Sequence, residues 1–164
     1  MTLYTLGYGK WPVGTRAASV LRALQAHHVE LLVDIRHSPC ASDWNPASTG
    51  PYRMQPWHLQ TADSGIEALL RTVGIRYLWL VELGNPQKND PQMKILRAHL
   101  SSADRRWPLN RGLDLLESFV IHQKQRCCLL CACADVESCH RRIIAETAQS
   151  RWRAESRPIE LVHL

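Results

Sequence analysis

Residues 30–35 read Glu30-Leu31-Leu32-Val33-Asp34-Ile35. The middle of this run is continuously apolar rather than alternating. That is the pattern of a strand covered on both faces in a parallel sheet. Upstream, Leu3-Tyr4-Thr5-Leu6 reads as a strand that ends at Gly7-Tyr8-Gly9, and a helix is expected from about Thr15, with Val20, Leu21, Leu24 and His28 at helical spacing. Downstream, residues 37–56 are rich in Pro, Ser, Asn and Gly and read as a long irregular loop. The spacing then predicts a helix over 57–73, with Ser64-Gly65 as a point of interruption and Gly74 as its stop. A strand over 75–81 follows, and then a polar loop over 82–90.

Two helices are expected over 91–102 and 109–124, with Pro108 where a first-turn proline is tolerated. A strand over 127–131, a helix over 137–151 and a strand over 159–163 complete the chain. Strands alternate with helices throughout. The expected fold is therefore α/β: a single domain over 1–164, with a mostly parallel sheet of about five strands and helices on both faces.

At 164 residues the chain can bury a core without covalent staples, and its 45% apolar and 21% charged content excludes disorder and fibrous repeats. Six cysteines are too few for a disulfide scaffold. The opening residues run straight into a strand, with no basic and apolar leader, and no apolar run approaches the roughly 18–20 residues that span a membrane. The expected setting is cytoplasmic, with reduced thiols and no membrane partner. The net charge of +5 is carried by 16 Arg against 4 Lys, and most of the excess lies beyond residue 87. This favours an anionic small molecule or a nucleic acid as partner. It is also what a simple preference for arginine codons would produce.

In parallel α/β sheets, ligands bind beyond the carboxyl ends of the strands, where the strand order switches. The polar groups expected there are Tyr8, Asp34, Arg36, Glu82 and Asn85, with Cys131, Cys133, Asp135, Cys139, His140 and Arg141 after the fourth strand. The segment Leu129-Leu130-Cys131-Ala132-Cys133-Ala134-Asp135-Val136-Glu137-Ser138-Cys139-His140-Arg141 is the sharpest of these. It carries a buried strand into a turn, with Asp135 as the expected N-cap and Cys139 to Arg141 at the start of a helix. A helix start favours anions and lowers thiol pKa values.

This segment, together with Thr5-Leu6-Gly7-Tyr8, Leu32-Val33-Asp34-Ile35-Arg36 with Pro39, and Gly74-Ile75-Arg76-Tyr77 leading to Glu82-Leu83-Gly84, resembles the bacterial and archaeal domain-of-unknown-function family 488. The resemblance runs over nearly the whole chain, and the Cys-His-Arg end is its most specific part. It implies the α/β fold and a site at that segment, but no established reaction. The chain departs from the family pattern at Cys133, where Glu is frequent, and at Ala41-Ser42, where Ser then Arg is.

Two readings of Cys139-His140-Arg141 stay open. One is a thiolate nucleophile with a base and an oxyanion or phosphate clamp. The other is a packed helix start, with Cys139 inward and Arg141 tying the turn to Asp34 or Asp135. Adjacent helical residues point about 100° apart, so His140 need not reach Cys139. Three sulfurs and an imidazole from Cys131, Cys133, Cys139 and His140 would suit zinc, but their spacing matches no common zinc knuckle, and a shared metal site is not expected. No metal and no other cofactor is expected. Cys128 and Cys131 lie too far apart on a strand to form a disulfide. Cys127 and Cys128 are expected in the core. Tyr8, Tyr52, Trp44 and Trp57 either line a pocket or simply pack.

The expected function is an enzyme acting on a phosphate-bearing small molecule, a nucleotide or a nucleic-acid end. Its catalytic groups would be Cys139, His140, Asp34 and Cys131, and its anion- or substrate-binding groups Arg36, Arg141, Tyr8 and Glu82. The alternatives are a non-catalytic nucleotide or nucleic-acid module working through its basic C-terminal half, and a redox or metal-sensing thiol protein.

Overall fold

Leu31–Asp34 is β2, buried at all four positions as its apolar run requires. The computed structural model describes residues 1–37, 59, 65–85, 90, 92–102 and 104–164. Around β2 it sets β1 (Thr2–Gly7), β3 (Arg76–Trp79), β4 (Cys127–Cys131) and β5 (Glu160–His163) into one five-stranded sheet of order β3-β2-β4-β1-β5. Every pairing is parallel, with Leu31 and Leu3 both opposite Cys127. The central strands are the continuously apolar ones, and the edge strands β3 and β5 are half exposed. Among the described residues the α-helices are α1 (Arg16–Ala26), α2 (Ile66–Arg71), α3 (Lys94–Ser101), α4 (Pro108–Glu117) and α5 (His140–Ala154).

Alternate strand residues feed two cores. Leu31, Val33, Cys127 and Leu129 pack with Leu96 and Leu100 of α3, Leu113 and Leu116 of α4, and Ile144 and Trp152 of α5. Leu32, Cys128 and Leu130 pack on the other face with Val20 and Leu24 of α1 and Ile66 and Leu70 of α2. The parallel sheet with helices on both faces is thus as expected, and Cys127 and Cys128 are fully buried within it.

The element ends differ from the sequence reading for local reasons. Gly65 is extended, so α2 begins only at Ile66; the rest of the helix expected over 57–73 falls largely outside the described residues. Gly74, at φ 74°, follows the helix in the left-handed conformation that glycine adopts freely. The helix expected over 109–124 is α4 followed by a π-helical turn over Ser118–His122. α5 starts at His140 rather than 137, because the Asp135 carboxylate closes a turn of its own on the Glu137 and Ser138 N–H groups. Asp135 is therefore not the N-cap; that position is Cys139, in an extended conformation. Among the described residues no helix is long and apolar enough to cross a membrane.

Candidate functional site

β4 and β1 are neighbours whose chains leave in opposite directions. β1 runs through α1 on one face to β2, and β4 runs through α5 on the other face to β5. Their carboxyl ends therefore form the switch point at which such sheets bind ligands. Gly7 and Cys131 stand opposite each other there. The turn after β4 lies directly on the end of β1. A β-carbon at Gly7 would fall 1.9 Å from the Cys133 carbonyl oxygen, and one at Gly9 would fall 2.4 Å from that of Ala132.

This edge concentrates buried charge. Arg36 is buried and donates from Nε to both Asp34 oxygens, at 2.9 and 3.0 Å, and from Nη2 to Oδ2 at 2.5 Å. The Arg36 backbone N–H also bonds Oδ1. Nη1 reaches the Tyr8 hydroxyl at 3.0 Å, and the Tyr77 hydroxyl donates to Asp34 Oδ2 at 2.7 Å. Burial alone would lower the Arg36 pKa; its bonds to Asp34 and the Asp34 charge override that and hold it above the usual range. Burial raises the Tyr8 pKa, so the phenol stays protonated.

Beside this pair lies a sulfur cluster. The Sγ atoms of Cys131, Cys133 and Cys139 all lie within 4.8 Å of one another, and those of Cys131 and Cys133 are 3.8 Å apart. Cys131 and Cys139 are buried and Cys133 is exposed. His140 Nε2 is 3.0 Å from the Ile35 carbonyl, which can only accept, so Nε2 carries the proton. In the neutral ring Nδ1 then presents its lone pair to the sulfurs, 3.6 Å from Cys131 Sγ. Cys139 is the N-cap and lies outside the helix in an extended conformation, so helical angles do not set its direction relative to His140, whose Nδ1 neighbours the Cys131 sulfur. Thiol hydrogen bonds from Cys131 and Cys139, aided by the charges of His140 and Arg141, hold the Cys133 thiol well below its usual range. The Cys133 contact, with burial, raises the pKa of Cys131, and the Cys131 and Cys133 contacts, with burial, raise that of Cys139.

Arg141, 3% exposed, donates from Nη1 and Nη2 to the Cys133 and Ala134 carbonyls, while its buried Nε has no partner among the described residues. It ties the turn to α5 through carbonyls, rather than through Asp34 or Asp135 as one reading expected.

Of the expected site residues, Tyr8, Asp34, Arg36, Cys131, Cys139, His140 and Arg141 gather at this edge. Glu82 lies elsewhere, lining a cavity of about 420 Å³ with His37, His99, Trp107 and Arg111 against α4. Tyr52, Trp44 and Trp57 fall outside the described residues. Tyr77 is not among the expected site residues, although it stands in the motif Gly74-Ile75-Arg76-Tyr77; its strand lies parallel beside β2, which places it near Asp34. The three sulfurs converge although their spacing matches no common zinc knuckle, because the Asp135 turn brings Cys139 back over the end of β4.

The family model described as domain of unknown function DUF488 matches residues 53–148. The chain belongs to the DUF488 family. The match contains the sulfur cluster, His140 and Arg141, while Tyr8, Asp34 and Arg36 precede it. No curated protein and no solved structure matches this DUF488 chain.

Proposed function

We propose that this DUF488 chain is an enzyme acting on an anionic, phosphate-bearing small molecule at the carboxyl edge of β1, β2 and β4. The observation that carries the reading is the clustering of buried ionisable side chains. Among the described residues, the buried ionisable groups Asp34, Arg36, His140 and Arg141 all lie at this one edge, together with three thiols. Burying charge is costly, and its concentration at a switch point is the mark of a working site.

In this reading Cys131, Cys133, Cys139 and His140 form the reaction centre, and Cys133 is the member a substrate meets first because it alone is exposed. Arg36 and Arg141 supply a positive field more than a direct clamp, since they bond protein acceptors. Asp34 fixes Arg36 and Tyr77, so its role is positioning rather than proton transfer.

The basic-surface alternative gains less support. Several arginines of the C-terminal half already face carboxylates: Arg105 with Asp114, Arg106 with Asp104, Arg142 with Glu137 and Glu146, and Arg157 with Glu117 and Glu155.

A thermal-shift panel of inorganic phosphate, phosphate monoesters, nucleotides and short duplexes tests the reading. A ligand at a hundred times its Kd stabilises by about 2.7 kcal/mol, a readily measured shift. A saturable rise with a small phosphate-bearing compound is expected. A response confined to duplexes and abolished steeply by salt would favour the alternative, and no response to any member would sink both.

A further inference from the structure

We propose that Cys131, Cys133, Cys139 and His140 are the ligands of a soft divalent metal ion, zinc in the first instance, bound tetrahedrally through three Sγ atoms and Nδ1. The geometry is specific. Tetrahedral zinc with Zn–S of about 2.3 Å and Zn–N of about 2.0–2.1 Å requires S···S edges of about 3.8 Å and S···N edges of about 3.6 Å. Cys131 and Cys133 Sγ are 3.8 Å apart, and Cys131 Sγ is 3.6 Å from His140 Nδ1. Cys139 Sγ lies within 4.8 Å of the other two sulfurs, and His140 Nδ1, beside Cys131, supplies the fourth donor once the ring shifts slightly toward the three sulfurs.

The surroundings match a metal site rather than a chance cluster. His140 donates Nε2–H to the Ile35 carbonyl, the outer partner that metal-bound imidazoles characteristically have. This bond fixes the tautomer and turns the Nδ1 lone pair toward the sulfurs. Thiolates and imidazole together are a donor set suited to zinc. Three thiolates around a divalent ion leave one negative charge, and the buried Arg141 guanidinium, bonded to the Cys133 carbonyl, lies beside it. Asp135 is engaged by Glu137 and Ser138 and is not needed as a ligand. Cys131, Cys139 and His140 form a buried floor, and Cys133 is the ligand open to solvent.

The inference shares its location with the proposed enzyme site but not its chemistry. The full chain, reduced and stripped of metal with a chelator, is titrated with cobalt(II) and then zinc(II). One cobalt per chain is expected, with sulfur-to-metal charge transfer and the strong d–d bands of a tetrahedral site, displaced by one zinc. Cys131→Ser, Cys139→Ser and His140→Ala should each weaken zinc binding by at least about ten- to a hundredfold, the loss that even an outer partner causes. Cys128→Ala should not weaken it. Alkylation read by peptide mass serves as a second measurement that requires no variant. Zinc should protect Cys131, Cys133 and Cys139 and leave the low reactivity of Cys127 and Cys128 unchanged. A weak octahedral cobalt spectrum, thiolate bands that persist in the Cys131 and Cys139 variants, or alkylation indifferent to zinc overturns the proposal. Running the phosphate panel on stripped and loaded protein separates the two claims. Metal uptake without any ligand response sinks the enzyme reading alone, and ligand response without metal uptake sinks this one alone.

Discussion

Arg36 grips Asp34 through both carboxylate oxygens, and both side chains are buried at the end of β2. The pair is two residues apart in sequence, so the strand's own period places the partners on one side. Tyr8, just beyond β1, and Tyr77, on β3, add hydrogen bonds to it.

Removing one partner leaves the other buried without its counter-charge. Asp34→Ala or Arg36→Ala should each cost about 3–5 kcal/mol in chemical denaturation. The double variant Asp34→Leu/Arg36→Met should cost less than the sum of the single Asp34→Leu and Arg36→Met changes, by about 0.5–3 kcal/mol, because neither member of this pair is left behind. Strict additivity would show that the ion pair is not the coupled unit its geometry describes.

Gly7 is glycine for lack of room, not for its backbone angles. Its φ of −117° suits any residue, yet a β-carbon would meet the Cys133 carbonyl at 1.9 Å and Arg141 Nη1 at 2.5 Å. Gly7→Ala should destabilise the chain by at least about 1–3 kcal/mol, lowering Tm by roughly 2–4 °C for each kcal/mol. An unchanged Tm would mean that the turn over Gly7 yields freely. Gly14, where a β-carbon would meet nothing within 4 Å, is the control position.

The strands were legible because burial on both faces writes itself into the sequence as apolar runs, as in Leu31–Asp34 and Cys127–Cys131. The site's location followed from topology. Its geometry did not. The approach of Cys139 to Cys131 depends on the Asp135 turn and the late start of α5, and side-chain hydrogen bonds of that kind leave no periodic trace. Glu82 shows the converse limit. It follows a strand at the correct end of the sheet, but the turn over Val81–Leu83 directs it toward α4.

Arg141 bridges two carbonyls of the turn, and a planar fork does this where an ammonium cannot. Arg141→Lys keeps the charge and loses the bridge. Amide hydrogen exchange over residues 133–138 should accelerate in the variant, while exchange in β4 stays slow. The global cost should be about 1.5–3 kcal/mol, the contribution typical of charged hydrogen bonds. Equal exchange in the turn of both proteins would show that other contacts hold it.

His163 links stability to pH at the far edge of the sheet. Its Nδ1 lies 2.6 Å from the Thr5 hydroxyl, a hydrogen bond that either atom can donate according to the tautomer. Burial, followed by the positive charge of Arg141, holds its pKa below the ordinary 6.5. The unfolded chain therefore takes up a proton at this position sooner than the folded chain does as the pH falls. Its contribution to stability is present above about pH 6.5 and is lost as the pH drops through the folded value. His140 has its pKa raised, through its Cys139 contact against the opposing effect of burial, and slopes the other way. The informative measurement is thus the difference between the wild type and His163→Gln, followed by urea denaturation from pH 7.5 to 5. The wild type should lose more stability than the variant over that range. A parallel pair of curves would show that His163 has the same proton affinity folded and unfolded.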